Sequence, residues 1–187
     1  MDLEPAFFCG DPSLDFVGTL RNRRSDPVET IGSPARLEAW LVESGLVDRV
    51  VGITESDVVS VQRLREAIYT LTAQRMADEP YEEDAVTLVN EVARRSTAVP
   101  QLRGRDRWIE ATADQALAMI ARCAVEVIGG SEAPLLKECA NSRCTMIFID
   151  RSRGARRQWC CMAGCGNKFK SAAYRSRQKE RAGAAGH

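Results

Sequence analysis

Apolar residues recur at helical spacing through most of the first 130 positions. Leu37, Trp40 and Leu41 fall on one face, behind Ser33-Pro34 and ahead of Gly45. A serine N-cap followed by proline at the first helical position is a strong helix start, and a glycine just past the last turn ends one. Thr54 with Asp57 approximates a capping box and opens a longer helix carrying Val61, Leu64, Ile68 and Leu71. Glu79-Pro80 stops it. A third helix is predicted from about Glu82 to Arg95, with Ala85, Leu88, Val89 and Val92 inside. Its acidic start at Glu82, Glu83 and Asp84 complements the helix dipole. A fourth runs from about Glu110 to Ile128, burying Leu117, Ile120, Ala124 and Val127 until Gly129-Gly130.

Elsewhere the period shortens. LDFVGTL, residues 14–20, alternates and predicts a short strand, with VETIG at 28–32 as a second strand pairing back. Residues 96–109 read as irregular, or as one short strand. The expected fold is mainly α with a few short strands (α+β). A helical unit over residues 1–130 precedes a smaller one over 131–187. No run of about 18 apolar residues suggests a membrane span.

The smaller unit is organised by cysteine. CANSRC at 139–144 and CCMAGC at 160–165 place Cys139, Cys144, Cys160 and Cys165 as two equally spaced pairs. Four thiolates in two pairs suit a tetrahedral zinc site. The fifteen residues between the pairs are long enough for a hairpin that brings the second pair back. Disulfides, iron–sulfur ligation and unrelated buried cysteines are the alternatives. Seven cysteines is an odd number and no secretory signal precedes them, so a reducing cytoplasm is expected. Cys161 reads as a spare thiol, with an exchange of roles with Cys160 as the alternative. Cys9 and Cys123 read as small hydrophobes.

These residues also resemble a known family. CANSRC, then Phe148-Ile149-Asp150-Arg151-Ser152-Arg153, then Trp159-Cys160 and Cys165-Gly166-Asn167-Lys168 are similar to the CGNR zinc finger pattern. Lys168 stands for its usual arginine, keeping the charge and losing the planar fork. Cys161 stands where a small polar residue is usual. The resemblance covers about residues 135–181 and implies one zinc ion and a nucleic-acid-binding module of bacterial regulators. The implied shape is treble-clef-like: a knuckle, a hairpin, then a helix whose first turn carries Cys165.

The first part resembles the ABATE domain, which commonly precedes such fingers. LDFVGTL, SPARLEAWLVESGL, LREAIYTL and DAVTLVNEVARR carry that likeness over about residues 7–128. Gly18-Thr19 stands where the family has Asn-Thr, so no role of that asparagine is transferred. The likeness implies a mainly helical domain with a few short strands.

Formal charge is zero overall, and that hides a split. Residues 139–187 hold 11 Lys/Arg against 2 Asp/Glu, or +9, and residues 1–138 hold 15 against 24, or −9. A cationic arm on an acidic body fits a polyanion. Candidate contacts are Arg151, Arg153, Arg156, Arg157, Asn167, Lys168, Lys170, Arg175, Arg177 and Lys179. Asn167 either reads a base edge or caps the finger's own backbone. Asp15 with Arg21 and Arg23 forms a candidate ligand pocket in the first part. The only histidine is the terminal His187, so no Cys–His or Ser–His–Asp catalysis is expected, and no enzyme. The leading reading is a zinc-dependent DNA-binding transcriptional regulator whose N-terminal domain senses a ligand or partner. An RNA-binding protein, or a protein adaptor using the basic finger, is the alternative.

Overall fold

The computed structural model describes residues 7–171, together with 174, 175 and 178. The first element is helix α1 (Pro12–Val17), not the expected strand. Asp11 is its N-cap, accepting from Ser13 N at 2.8 Å, and Pro12 opens the first turn. Asp11-Pro12 thus repeats the device of Ser33-Pro34. A helix puts Leu14, Phe16 and Val17 all inside, where a strand would have turned Val17 away from its neighbours.

Strands β1 (Leu20–Arg21) and β2 (Val28–Glu29) pair antiparallel around a turn in which Asn22 is left-handed at φ 54°. Helix α2 (Pro34–Glu43) starts on Ser33 as expected, and Gly45 follows it at φ +72°. Strand β3 (Arg49–Val51) leads to α3 (Glu55–Ala77), whose Thr54–Asp57 capping box is complete. Helix α4 (Glu83–Ala93) follows. The stretch expected to be irregular is instead a hairpin of β4 (Gln101–Arg103) and β5 (Asp106–Trp108), then β6 (Glu110–Thr112). Strand β6 pairs parallel with β3 across the fold. Helix α5 (Ala113–Gly129) therefore begins three residues later than predicted, on a Thr112–Gln115 capping box.

Helices α1, α3, α4 and α5 pack around one apolar cluster, with α2 closing a side. Phe16, Leu37, Leu41, Leu64, Ile68 and Ile120 are all at most 1% exposed there. Among the described residues no helix is long and apolar enough to cross a membrane.

A second cluster lies at the far end of α5. A 3₁₀ turn at Ala133–Leu135 leads into β7 (Leu136–Glu138), which pairs antiparallel with β8 (Ile147–Ile149). Met146, Ile147, Phe148 and Ile149 are buried against Cys9 and Leu14 of the N-terminal stretch and Val127 of α5. Ile149 N donates to Cys9 O at 2.8 Å, so the chain before α1 runs along the edge of β8. The hairpin thus flanks the first cysteine pair, which lies in the turn between its strands. It was expected between the pairs, where residues 150–159 form no strand.

Candidate metal centre

The first pair sits at the tip of the β7–β8 hairpin. Cys139 N donates to Met146 O at 3.0 Å, and Cys144 N closes a turn on Asn141 O at 2.7 Å. The second pair is brought back by Ala140 N donating to Gln158 O at 2.9 Å. The sulfurs of Cys139, Cys144, Cys160 and Cys165 then lie within 4.8 Å of one another. The Cys144–Cys160 separation is 3.8 Å. A tetrahedron with Zn–S bonds of about 2.3 Å has S–S edges of about 3.8 Å, so the set fits one Zn²⁺. Cys139, Cys144 and Cys160 are buried and Cys165 is half-buried.

Polar donors already face the sulfurs. Asn141 Nδ2 donates to Cys165 Sγ at 3.3 Å, and Cys160 N to Cys139 Sγ at 3.5 Å. Hydrogen bonds from the Cys144 and Cys160 thiols pull the Cys139 thiol far down, and those two are pushed up by it in turn. Sulfurs this crowded cannot all ionise without a cation among them, and a dication removes that conflict. Four thiolates on Zn²⁺ leave a formal −2, in a setting rich in arginine and lysine.

Cys161 Sγ points elsewhere. It caps the turn Met162–Gly166, accepting from Gly164 N at 3.2 Å, and lies outside the four-sulfur set. That turn is wider than an α-helical one and carries Cys165, with α-helix following at 167–171. Cys165 therefore stands just before the helix expected to hold it. Cys9 is fully buried, and burial and the neighbouring Asp15 push its thiol well up. Cys123 is half-buried on α5.

Asp150 orders the loop between the pairs. Its Oδ2 accepts from Lys137 Nζ at 2.8 Å and Arg157 N at 2.9 Å, and its Oδ1 from Ser152 N and Oγ at 3.0 and 2.5 Å. The Lys137 ammonium and the Ser152 hydroxyl hold this carboxyl well below the usual range. The Asp-x-Ser part of the motif is thus a loop brace.

The candidate nucleic-acid contacts divide. Arg151 forks onto Glu132 and donates to Gly10 O at 2.8 Å. Arg157 lies over the Phe148 ring at 4.2 Å and donates to Phe8 O, Trp159 O and Cys160 O. These two arginines hold the finger to the N-terminal chain. Arg153, Arg156, Asn167, Lys168, Lys170 and Arg175 are exposed. Arg177 and Lys179 lie outside the described residues. Asn167 N–H closes the cysteine turn on Gly164 O and Met162 O. Trp159 packs against Phe169 at 4.7 Å, and Tyr174 is 58% exposed. A cleft of about 600 Å³ runs between Asn22 and Asp26 on one side and Asn141, Arg143, Lys168 and Phe169 on the other.

Of the expected Asp15–Arg21–Arg23 pocket, Asp15 and Arg23 are engaged with other described residues. Asp15 Oδ1 accepts from Cys9 N at 2.9 Å, and burial pushes its carboxyl up. Arg23 forks onto Glu66 at 3.0 and 3.2 Å and lies over Tyr69. Arg21 lines a small cavity of about 180 Å³ beside Cys161, Cys165 and Lys168. Sequence reasoning missed Arg65, which is 2% exposed. It forks onto Glu29 at 2.7 Å twice and reaches Glu66 and Thr19 Oγ1. It sits among Val61, Leu64 and Ile68 on α3, and nothing in that helical pattern marks a buried arginine.

The arrangement defines a class: a helical domain onto whose end a small four-cysteine zinc finger is packed. Residues 10–131 match the family model ABATE, described as "Putative stress-induced transcription regulator", and residues 136–178 match the CGNR zinc finger. The chain belongs to the ABATE family and carries a CGNR zinc finger. No curated protein matches it.

Proposed function

We propose that the protein is a zinc-dependent DNA-binding regulator of transcription. The finger is its principal contact, and the N-terminal domain responds to a ligand or partner. The observation that carries this is the separation of cations at the finger. Arg151 and Arg157 are engaged by Glu132, Gly10 and Phe8, while Lys168, Lys170 and Arg175 follow the last ligand cysteine and stand exposed. Exposed cations on a helix fixed by the metal suit phosphate contacts, which set register and carry no sequence information directly. A cytoplasmic setting agrees with reduced thiols. The reading assigns no catalysis.

A second reading has its own observation. Phe169 is 56% exposed and packed in a tilted contact against Trp159, and Tyr174 is exposed among the cations. Aromatic faces between cations also suit unpaired bases, so single-stranded RNA is the competitor.

The test is fluorescence anisotropy of the zinc-loaded chain with duplex DNA and with single-stranded RNA across a salt series. With about four to six phosphates neutralised, the log K against log salt slope on duplex is about −4 to −5. K168E/R175E weakens binding to all sequences alike. Stronger binding to single strands selects the RNA reading. No salt-sensitive binding to either leaves the acidic-protein adaptor.

A further inference from the structure

We propose that the β4–β5 hairpin is a second duplex-DNA contact, a cationic ribbon at the opposite end of α5 from the finger; this rests on the DNA-binding reading above. Residues 99–108, VPQLRGRDRW, hold three arginines and one aspartate, a local +2 within a body of net −9. Residues 99–107 are all exposed. Leu102 is 85% exposed and Val99 71%. Arg103, Arg105 and Arg107 make no ion pair among the described residues. By contrast, Arg23, Arg24, Arg49, Arg65, Arg95 and Arg151 all pair with carboxylates.

The ribbon is built, not loose. Arg103 pairs with Asp106 across a two-residue turn in which Gly104 takes φ +66°. Glycine at the first of two turn positions suits the tight hairpin turn that matches strand twist. Arg103 lies over the Trp108 ring at 4.6 Å, which fixes its direction. The base is anchored by Ile109, 2% exposed, whose N–H donates to Asp48 Oδ2 at 2.7 Å. Leu102 and Arg107 are cross-strand partners and so share one face of the ribbon. A rigid two-stranded ribbon with unpaired guanidinium groups fits a duplex. Guanidinium forks phosphate with two parallel hydrogen bonds, and a B-form major groove admits such a ribbon.

Position gives the proposal its test. The 17 residues of α5 separate hairpin and finger, a rise of roughly 25 Å. That is about 7 base pairs at roughly 3.4 Å each. A duplex shorter than this separation cannot reach finger and ribbon together. The experiment compares the full zinc-loaded chain with R105A/R107A and R105K/R107K on a loop-closed duplex of about 6 base pairs and on one of about 20, across a salt series. The expected result on 20 base pairs is at least a tenfold loss of affinity for the alanine variant and a salt slope shallower by about 2. The lysine variant keeps the slope, and on the short duplex the alanine variant matches the parent. R105A alone, at the turn tip, gives half the slope change should the double variant misfold. Equal affinity and slope on 20 base pairs, with a parent that binds, overturns the ribbon and leaves the regulator reading standing. A loss seen only with RNA, or a loss of self-association with DNA binding intact, also overturns it. A parent that binds neither duplex overturns both.

Discussion

Phe148→Ala tests how the finger is held. Phe148 is fully buried in β8. Its cluster contains three of the four ligand cysteines but also Cys9, Leu14 and Val127 from the other part of the chain. Truncating a fully buried phenylalanine costs about 3–5 kcal/mol. Loss of the ring under Arg157 adds about 1 kcal/mol, since that guanidinium also anchors Phe8 O and Trp159 O. Against a total stability of about 5–15 kcal/mol this is a large fraction. The helices around Phe16 and Ile68 retain their own cluster, so helical circular dichroism survives while the zinc is released more readily. Chelator competition with a colorimetric zinc indicator reads the release, and calorimetry reads the lowered midpoint. Phe148→Leu, close to volume-conserving, is expected to cost under about 1.5 kcal/mol. If Phe148→Ala kept zinc and midpoint within about 1 kcal/mol of the parent, the shared core would not be what holds the finger.

Elemental analysis of protein purified without added metal is expected to find one zinc per chain. Cys161→Ser keeps it and Cys144→Ser loses it, because only the latter removes one of the converging sulfurs; a zinc-free Cys161→Ser protein would reverse the ligand choice. Asp150 and Asp15 make opposite contributions to pH dependence. The Asp150 carboxyl is depressed in the fold, so its stabilisation is present above the unfolded value near 4 and is lost as pH falls through the lower folded value. Asp15 is raised by burial, so the fold loses stability as pH rises from the unfolded value through the raised one. Asp15→Asn keeps an acceptor for Cys9 N and is therefore expected to stabilise the protein at pH 7 relative to pH 4. Denaturant midpoints at both pH values check this, and a pH-independent difference refutes it.

The helices were legible where cap and period agree. Ser33-Pro34 and Thr54-x-x-Asp57 marked true starts because their side chains cap the first turns in the fold. The misreadings have equally physical reasons. Asp11-Pro12 carried the same signal, but a helix of six residues is too short to show a period against alternating LDFV. Arg-Gly-Arg-Asp held the glycine turn of the β4–β5 hairpin, obscured by flanking charge. The parallel β3–β6 pair joins residues about sixty apart, and no local pattern encodes that. The four ligands were legible because metal chemistry constrains residue type and spacing. Which arginines are engaged within the fold was not, because Arg151 and Arg157 find their partners at Glu132, Gly10 and Phe8, set by tertiary packing.

Gly18 packs against Met146 of the finger, and it stands where the resembled family has asparagine. Its backbone is helical at φ −67°, so no conformational reason demands glycine. Space does. A Cβ there meets Met146 Cε at 2.5 Å and Sδ at 2.9 Å. Met146 is 4% exposed and lies two residues past Cys144, just before β8. Gly18→Asn therefore displaces Met146, and overpacking of this kind costs about 1–3 kcal/mol. Met146→Ala alone opens a cavity at about 2–5 kcal/mol. Combined, the asparagine enters the space the methionine leaves. The double variant should then be more stable than the sum of the single losses predicts, by more than the roughly 0.5 kcal/mol expected of independent sites. Denaturant unfolding of the four proteins gives that coupling directly. A strictly additive cycle would mean that Met146 swings aside freely, and that Gly18 does not set the fit between helix α1 and the zinc finger.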